Sequence, residues 1–337
     1  MERGLLTDMF KYFSKKMMIY ILTFFIAVSI NWAVPRFMPG DPITQLLARF
    51  QGMEGSKELL RSHFVEAFKL GDPLIVQFFK FWKSVFQGDL GVSIRMYPRS
   101  VLDIILSSAP YDMVLFFPAV ILSLIIGNKL GAYSGFNKKA DSMLMPFIYF
   151  LRSAPYFWFA IVTIFVFGHV LDWFPTALAY DPGVSPGWNL EFIVNALHHW
   201  ILPFSTMFLV ELGGWAIGMK NMVIYEKKAG YAEYMRALGA GDGLIRKYAF
   251  RNGVLPQITG LALRIGKALT GAVFVESIFS YPGVGYRMLQ AIQQQDYFLL
   301  QGCFLAIVAM TLAANFIVDI VYMFVDPKIR LSYSEGE

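Results

Sequence analysis

Of the 337 residues, 56% are apolar and only 16% are charged, and the mean hydropathy is +0.51, which excludes an ordinary soluble domain and marks an integral membrane protein. The formal net charge of +5 and pI near 9.1 come from charges that flank apolar segments, with no basic-aromatic reading surface, so nucleic acid is excluded as a partner. The single cysteine, Cys303, excludes a disulfide framework within the chain and reads as a small core hydrophobe.

The first element is Met17 to Val34, eighteen residues without a charge and close to the ~20 needed to cross a bilayer as a helix. No small-residue cleavage site with a hydrophilic start follows it, so it is read as a retained span. The region 35–112 is predicted to be a large outer loop. Within it Pro39-Gly40-Asp41-Pro42 is a turn signal, Glu54 to Leu70 is helix-compatible, and Leu74 to Phe86 is apolar and aromatic but too short to span. That last segment is expected to lie on the outer surface or to re-enter the bilayer, and Gly88-Asp89-Leu90-Gly91 ends it.

Further spans are predicted to start near Met113, Ala154, Ile201, Gln257 and Gly302, which gives an all-α membrane core over 113–326. Pro146, Pro155 and Pro256 permit kinks in it. Gly260, Ala262, Gly266, Ala268, Gly271 and Ala272 predict a close helix interface in the fifth span. Charge sets the orientation. Arg3, Lys11, Lys15 and Lys16, then Lys138 and Lys139, the polar loop at 221–256, and Lys328 with Arg330 are expected inside. The loop from Asp172 to His198 carries Asp172, Asp181 and Glu191 but no Lys or Arg, as an outer loop should. The segments 1–16 and 327–337 are therefore predicted to be cytosolic.

Between the fourth and fifth spans, Tyr225 to Pro256 forms a polar island. Tyr231, Tyr234, Met235 and Leu238 fall at i, i+3, i+4 and i+7, so a short amphipathic helix is predicted there, stopped by Gly239. Such a helix has nothing obvious to pack on in its own chain. It either docks on another protein or lies on the lipid surface, and Glu233 on its polar face with a narrow apolar face favours docking.

Ionisable residues inside spans are functional candidates by default: Glu211, Arg264, Lys267, Glu276 and Asp319. Arg264 and Lys267, three apart, share a helix face that would line a polar path and meet a substrate carboxylate. The alternatives are an interhelical ion pair with Glu211 or Glu276, or snorkelling towards the cytosol. Asp319 reads as a packing or interface residue. No catalytic or metal site is visible: His63, His169, His198 and His199 form no ligand pattern, and His198 and His199 read as interfacial anchors. A phosphate loop is missing as well, since Gly260 to Lys267 has the wrong spacing and is followed by Ala268, so no cofactor is expected in this chain.

Tyr231-Ala-Glu-Tyr-Met-Arg-Ala-Leu-Gly239, Tyr248-Ala-Phe-Arg-Asn-Gly-Val-Leu-Pro256 and Val275-Glu-Ser-Ile-Phe-Ser-Tyr-Pro-Gly-Val-Gly285 occur in that order. With Met38 to Pro42, Gly88 to Gly91 and Asp326 to Arg330, they resemble the membrane subunits of the dipeptide/oligopeptide/nickel permease family of ATP-binding-cassette importers. The first stretch resembles that family's EAA loop; Glu233 and Gly239 keep its spacing, but Tyr234 and Met235 stand where two alanines are usual. The resemblance implies a six-helix type I importer permease fold with a large first extracytoplasmic loop, in a prokaryotic inner membrane. It also implies a second, homologous but different permease subunit, two ATPase subunits that bind ATP and Mg, and an external binding protein. Tyr231, Tyr234, Met235 and Leu238 would then contact an ATPase subunit, Glu233 and Arg236 would orient the helix at the rim, and Gly239 would allow the sharp exit. Oligopeptides are the implied substrate and oligosaccharides the alternative, because the aromatic content of 17% also suits stacking on sugars. A stand-alone channel or secondary transporter, or a membrane enzyme, is the competing class; it would need no ATPase partner.

Overall fold

A computed structural model of the chain describes residues 2–37, 62 and 72–325. The regular elements among them are helices: α1 (Glu2–Phe37), α2 (Leu74–Gln87), α3 (Val101–Phe136), α4 (Lys138–Ser153), α5 (Tyr156–Thr163, continued by a π-helical segment Ile164–Val170), α6 (Leu190–Glu226), α7 (Gly230–Ala237), α8 (Asp242–Ile278), α9 (Val284–Gln294) and α10 (Tyr297–Val325). The predicted turn at Pro39 to Pro42 and the terminal Asp326 to Arg330 lie outside the described residues, as does the segment Glu54 to Leu70 apart from Ser62.

Four helical stretches are long and apolar enough to cross a bilayer alone: Phe13–Ala33, Val101–Phe136, Leu190–Glu226 and Tyr297–Ile320. Two bent pairs, Lys138–Ser153 with Tyr156–Val170 (108°) and Asp242–Leu261 with Arg264–Ile278 (58°), bring the number to six if each is one span. The break at Pro155 follows from its ring, which pushes Ala154 to extended backbone (φ −71, ψ 127). Pro146 and Pro256 sit inside α4 and α8, so proline content alone does not locate the bends.

The helices start earlier than the apolar windows. α3 begins at Val101 rather than Met113, α6 at Leu190 rather than Ile201, and α8 at Asp242 rather than Gln257. Apolarity marks the part of a helix that lipid touches, whereas the hydrogen-bond ladder runs on until something caps it. For α6 the cap is Asn189, whose side chain accepts from Phe192 N (2.8 Å). Asn137 caps α4 in the same way, accepting from Lys139 N and Ala140 N.

The chain divides into two compact units. In the first (Met1–Met17, Tyr111–Gly283, Thr311–Glu337), α6 is the axis and packs on α4, α5 and α8. Gly127, Gly131 and Gly135, one turn apart on α3, let its backbone approach α6. A Cβ on Gly127 would stand 2.7 Å from Trp215 Cβ, one on Gly135 2.9 Å from Val223 Cγ1, and one on Gly131 would collide with the carbonyl of Ala216. On another side of α6, a Cβ on Gly213 would lie 2.9 Å from Arg152 N and 3.0 Å from Ile148 O of α4. Small residues thus make the closest contacts, as expected where apolar lipid supplies no hydrophobic force between helices. The stripe predicted in the fifth span is only half used: Ala268, Gly271 and Ala272 are buried, whereas Gly260 and Gly266 face open space.

In the second unit (Met18–Pro110, Val284–Met310), α2 runs back along α1. Phe78 meets Trp32 (5.2 Å between centroids) and Phe25 (6.1 Å), and Trp82 stacks on Phe25 (4.9 Å). These contacts seat α2 on the part of α1 that forms the candidate span Phe13–Ala33. Gly88, at φ 73, ends α2. Cys303 is buried among Val101, Ile104, Val284 and Leu299, as its small apolar character predicts.

Gly213→Val pushes a side chain against α4 backbone that cannot turn away. It is expected to cost ~1–3 kcal/mol and to lower the detergent melting temperature by several degrees, with Gly260→Val, on open space, nearly silent in the same thermal scan.

Candidate functional site

The short helix predicted in the polar island is α7. Its end is set by Gly239 at φ +81, with Gly239 N bonded to Arg236 O and Ala240 N to Met235 O (both 2.9 Å), a left-handed glycine cap. The expected single apolar stripe is divided. Tyr231 and Met235 are half-buried against the chain itself and Ala232 is fully buried, whereas Tyr234 and Leu238 are 67% and 69% exposed, with Glu233 and Arg236 also exposed. A stripe about 100° wide straddles the edge of the contact, so one half packs inward and the other stays outside. The helix therefore does have a seat within its own chain, contrary to the reading from periodicity.

That seat centres on Glu226, the last residue of α6. Its Oε2 accepts from the Tyr231 hydroxyl of α7 (2.8 Å) and from Asn252 Nδ2 of α8 (3.1 Å). Burial and the bond to Glu226 push the Tyr231 hydroxyl up to about 12, so it stays a proton donor at neutral pH. A second tie comes from Arg236, which donates to Lys227 O (3.0 Å). Lys227 in turn donates to Gly135 O (3.1 Å), and both Lys227 and Arg246 lie 5.5 Å from the Phe136 ring at the end of α3. Sequence reasoning singled out neither Glu226 nor Asn252. A partner five residues away across a turn, and another twenty-six away, leave no trace in helical periodicity.

Inside the bundle, Arg264 and Lys267 separate. Arg264 turns onto α6, donating to Gly214 O (3.1 Å) with its guanidinium 4.0 Å from the Trp215 ring centre. Gly214 leaves room for it, since a Cβ would stand 2.6 Å from Arg264 Nη1 and push the guanidinium aside. Glu211, buried on the same helix, accepts from the Tyr156 hydroxyl rather than forming an ion pair with Arg264 or Lys267. Lys267 is exposed. Glu276 is 1% exposed and lies beneath Gly283, where any side chain would collide with its carboxylate. Asp319 pairs with Lys16 (3.0 Å), which makes it the interface residue expected. Tyr156, Trp215 and the Lys220–Asp141 pair (2.5 Å) went unnoticed in the sequence, since aromatic residues and helix-end charges are common in any membrane protein.

At the other end of α6, His198 and His199 do more than sit at an interface. His198 Nε2 lies 2.8 Å from Trp173 O, and His199 bridges Ala177 O (2.9 Å) and Asp181 (3.2 Å). Asn195 also holds Asp181, and these bonds keep the Asp181 carboxyl below the ordinary carboxylate range. Together they strap the loop after α5 onto the helix.

Up to six spans, with a capped amphipathic helix tied between the fourth and fifth, describe a multi-pass permease. The chain belongs to the family of binding-protein-dependent transport system inner membrane components, whose profile matches residues 119–331. Among its relatives are the probable D,D-dipeptide transport system permease protein DdpB of Escherichia coli (31% identical; 89% of this chain, 92% of the relative) and the oligopeptide transport system permease protein AppB of Bacillus subtilis (30%; 89% and 93%). The oligopeptide transport system permease protein OppB of Haemophilus influenzae is 28% identical over 96% of this chain and the whole of the relative.

Removing one member of a buried polar cluster strands the others. Glu211→Ala is expected to destabilise the purified protein by ~1–3 kcal/mol, and Glu211→Leu combined with Tyr156→Phe to recover much of that loss in the same melting assay.

Proposed function

We propose that this chain is one of two membrane subunits of an ATP-driven importer, forming half of a path for oligopeptides delivered by an external binding protein. The observation that carries this reading is α7, held to α6 and α8 through Glu226 yet presenting Tyr234 and Leu238 outward, on a chain without a phosphate loop. A helix so held transmits a push, and the exposed half of its apolar stripe gives a partner something to bury. The partner in this reading is an ATPase subunit. ATP and Mg are then bound by two such subunits, and this chain is not itself an enzyme and carries no cofactor. The second permease is a homologous but different chain, α7 and both termini face the cytosol, and the membrane is a prokaryotic inner membrane.

Tyr234, Leu238, Glu233 and Gly239 belong to the contact and its exit. Tyr231, Met235 and Arg236 instead hold the helix to its base, a change of role for Tyr231 and Met235 from the expected docking face and for Arg236 from the expected rim. Peptides are favoured over oligosaccharides as cargo because the relatives are peptide permeases by name.

In the co-expressed complex, Tyr234→Glu with Leu238→Glu is expected to reduce co-purification of the ATPase subunits about tenfold or more; full retention of the ATPase would sink the docking role. Glu226→Ala is expected to leave the ATPase bound but to raise the ATP hydrolysed per substrate imported several-fold in proteoliposomes, with Tyr231→Phe adding little to it because both remove the same bond. Uptake competition with peptide and oligosaccharide panels decides the cargo, and inhibition by oligosaccharides alone would overturn the peptide assignment.

A further inference from the structure

Lys267 is the charge that the fold leaves unexplained. Within α8, Asn252 is bonded to Glu226 of the polar loop, and just past the helix end the Phe279 carbonyl accepts from Leu178 N of the loop after α5 (2.8 Å). Lys267 lies in the second arm of this helix, beyond the 58° bend between Leu261 and Arg264. An ammonium facing lipid within a span is costly. Arg264, one turn nearer the cytosol, avoids such a cost through Gly214 O and the Trp215 ring. Lys267 is exposed and has no hydrogen-bond or ion-pair partner among the described residues.

Its neighbours along α8 include polar groups. Thr259 and Thr270, both exposed, keep acceptor capacity at their hydroxyls while bonding back to Leu255 O and Gly266 O (3.1 Å each). Gly260 and Gly266 stand beside them with nothing within 4 Å of an added Cβ. Lys267, two hydroxyls and two bare glycines are thus left uncovered along α8 by the rest of this chain.

We propose that Lys267 is a binding station for the carboxylate terminus of a peptide substrate on the path, making this chain itself a contributor to specificity. This rests on the peptide-import reading above. The test uses the full importer, with its ATPase and binding protein, in proteoliposomes, and compares initial uptake of labelled trialanine with that of its C-terminal amide. Lys267→Met is expected to reduce the free-acid to amide uptake ratio about tenfold, the loss of one charge-assisted hydrogen bond, while Lys267→Arg stays within about twofold of the unaltered protein. An unchanged ratio in Lys267→Met overturns the station, as does an equal loss for both peptides. So does loss of the second membrane subunit on purification, which would make Lys267 an intersubunit ion pair. An unaltered importer that takes up neither peptide overturns the peptide reading and the station with it.

Accessibility gives a measurement independent of transport. In a Cys303→Ala background, Lys267→Cys is expected to react with an anionic, membrane-impermeant thiol reagent. No reaction overturns the proposal.

Discussion

Close backbone approach to α6 is the constraint on which the first unit depends. In a bilayer, apolar side chains gain nothing by leaving lipid for one another, so helices associate through packing and polar contacts. Gly127, Gly131 and Gly135 bring α3 onto one side of α6, and Gly213 brings α4 onto another. Only because α6 is gripped in this way do its buried groups have fixed neighbours. Gly214 opens its carbonyl to Arg264, Glu211 meets Tyr156, and the helix end delivers Glu226 to the loop.

The same grip explains how charge is tolerated. Lys16 neutralises Asp319 and Lys220 neutralises Asp141, while Arg264 donates to a carbonyl and lies on an indole ring, on the same helix as the buried Glu211 carboxylate. A guanidinium suits that environment because it is planar and weakly hydrated, so stacking and a single carbonyl go far towards replacing water. Lys267 has a compact, strongly hydrated head and no such arrangement. Two cations three residues apart thus have different explanations, one internal to the fold and one outside it.

The sequence was informative where physics acts over one or two helical turns. Apolar runs located the spans, the i, i+3, i+4, i+7 pattern found α7, and Gly239 ended it because only a residue without Cβ adopts φ +81 at no cost. It was uninformative where the deciding contact is distant in the chain. The division of the α7 stripe depends on how far the helix sinks against its neighbours, and the Glu226–Asn252 bond joins residues on two helices. Arg264 and Lys267 were read as one face because three residues differ by only about 60° around a helix. That angle was enough to turn Arg264 onto Trp215 and leave Lys267 outside. Small residues misled in the opposite direction: glycine marks either close packing or open space, and only the neighbouring element decides which.

A helix of eight residues between two turns would bend at its joints under load unless its base were fixed. Glu226, itself the end of α6 and held to α8 by Asn252, ties it through Tyr231, and Arg236 adds a second tie to Lys227 O. A push on Tyr234 and Leu238 is then shared by α6 and α8, which pack along each other from the loop to the level of Gly214 and Arg264. α8 is also the helix that carries Lys267, so a load received at the polar loop and the position of that ammonium are properties of one element.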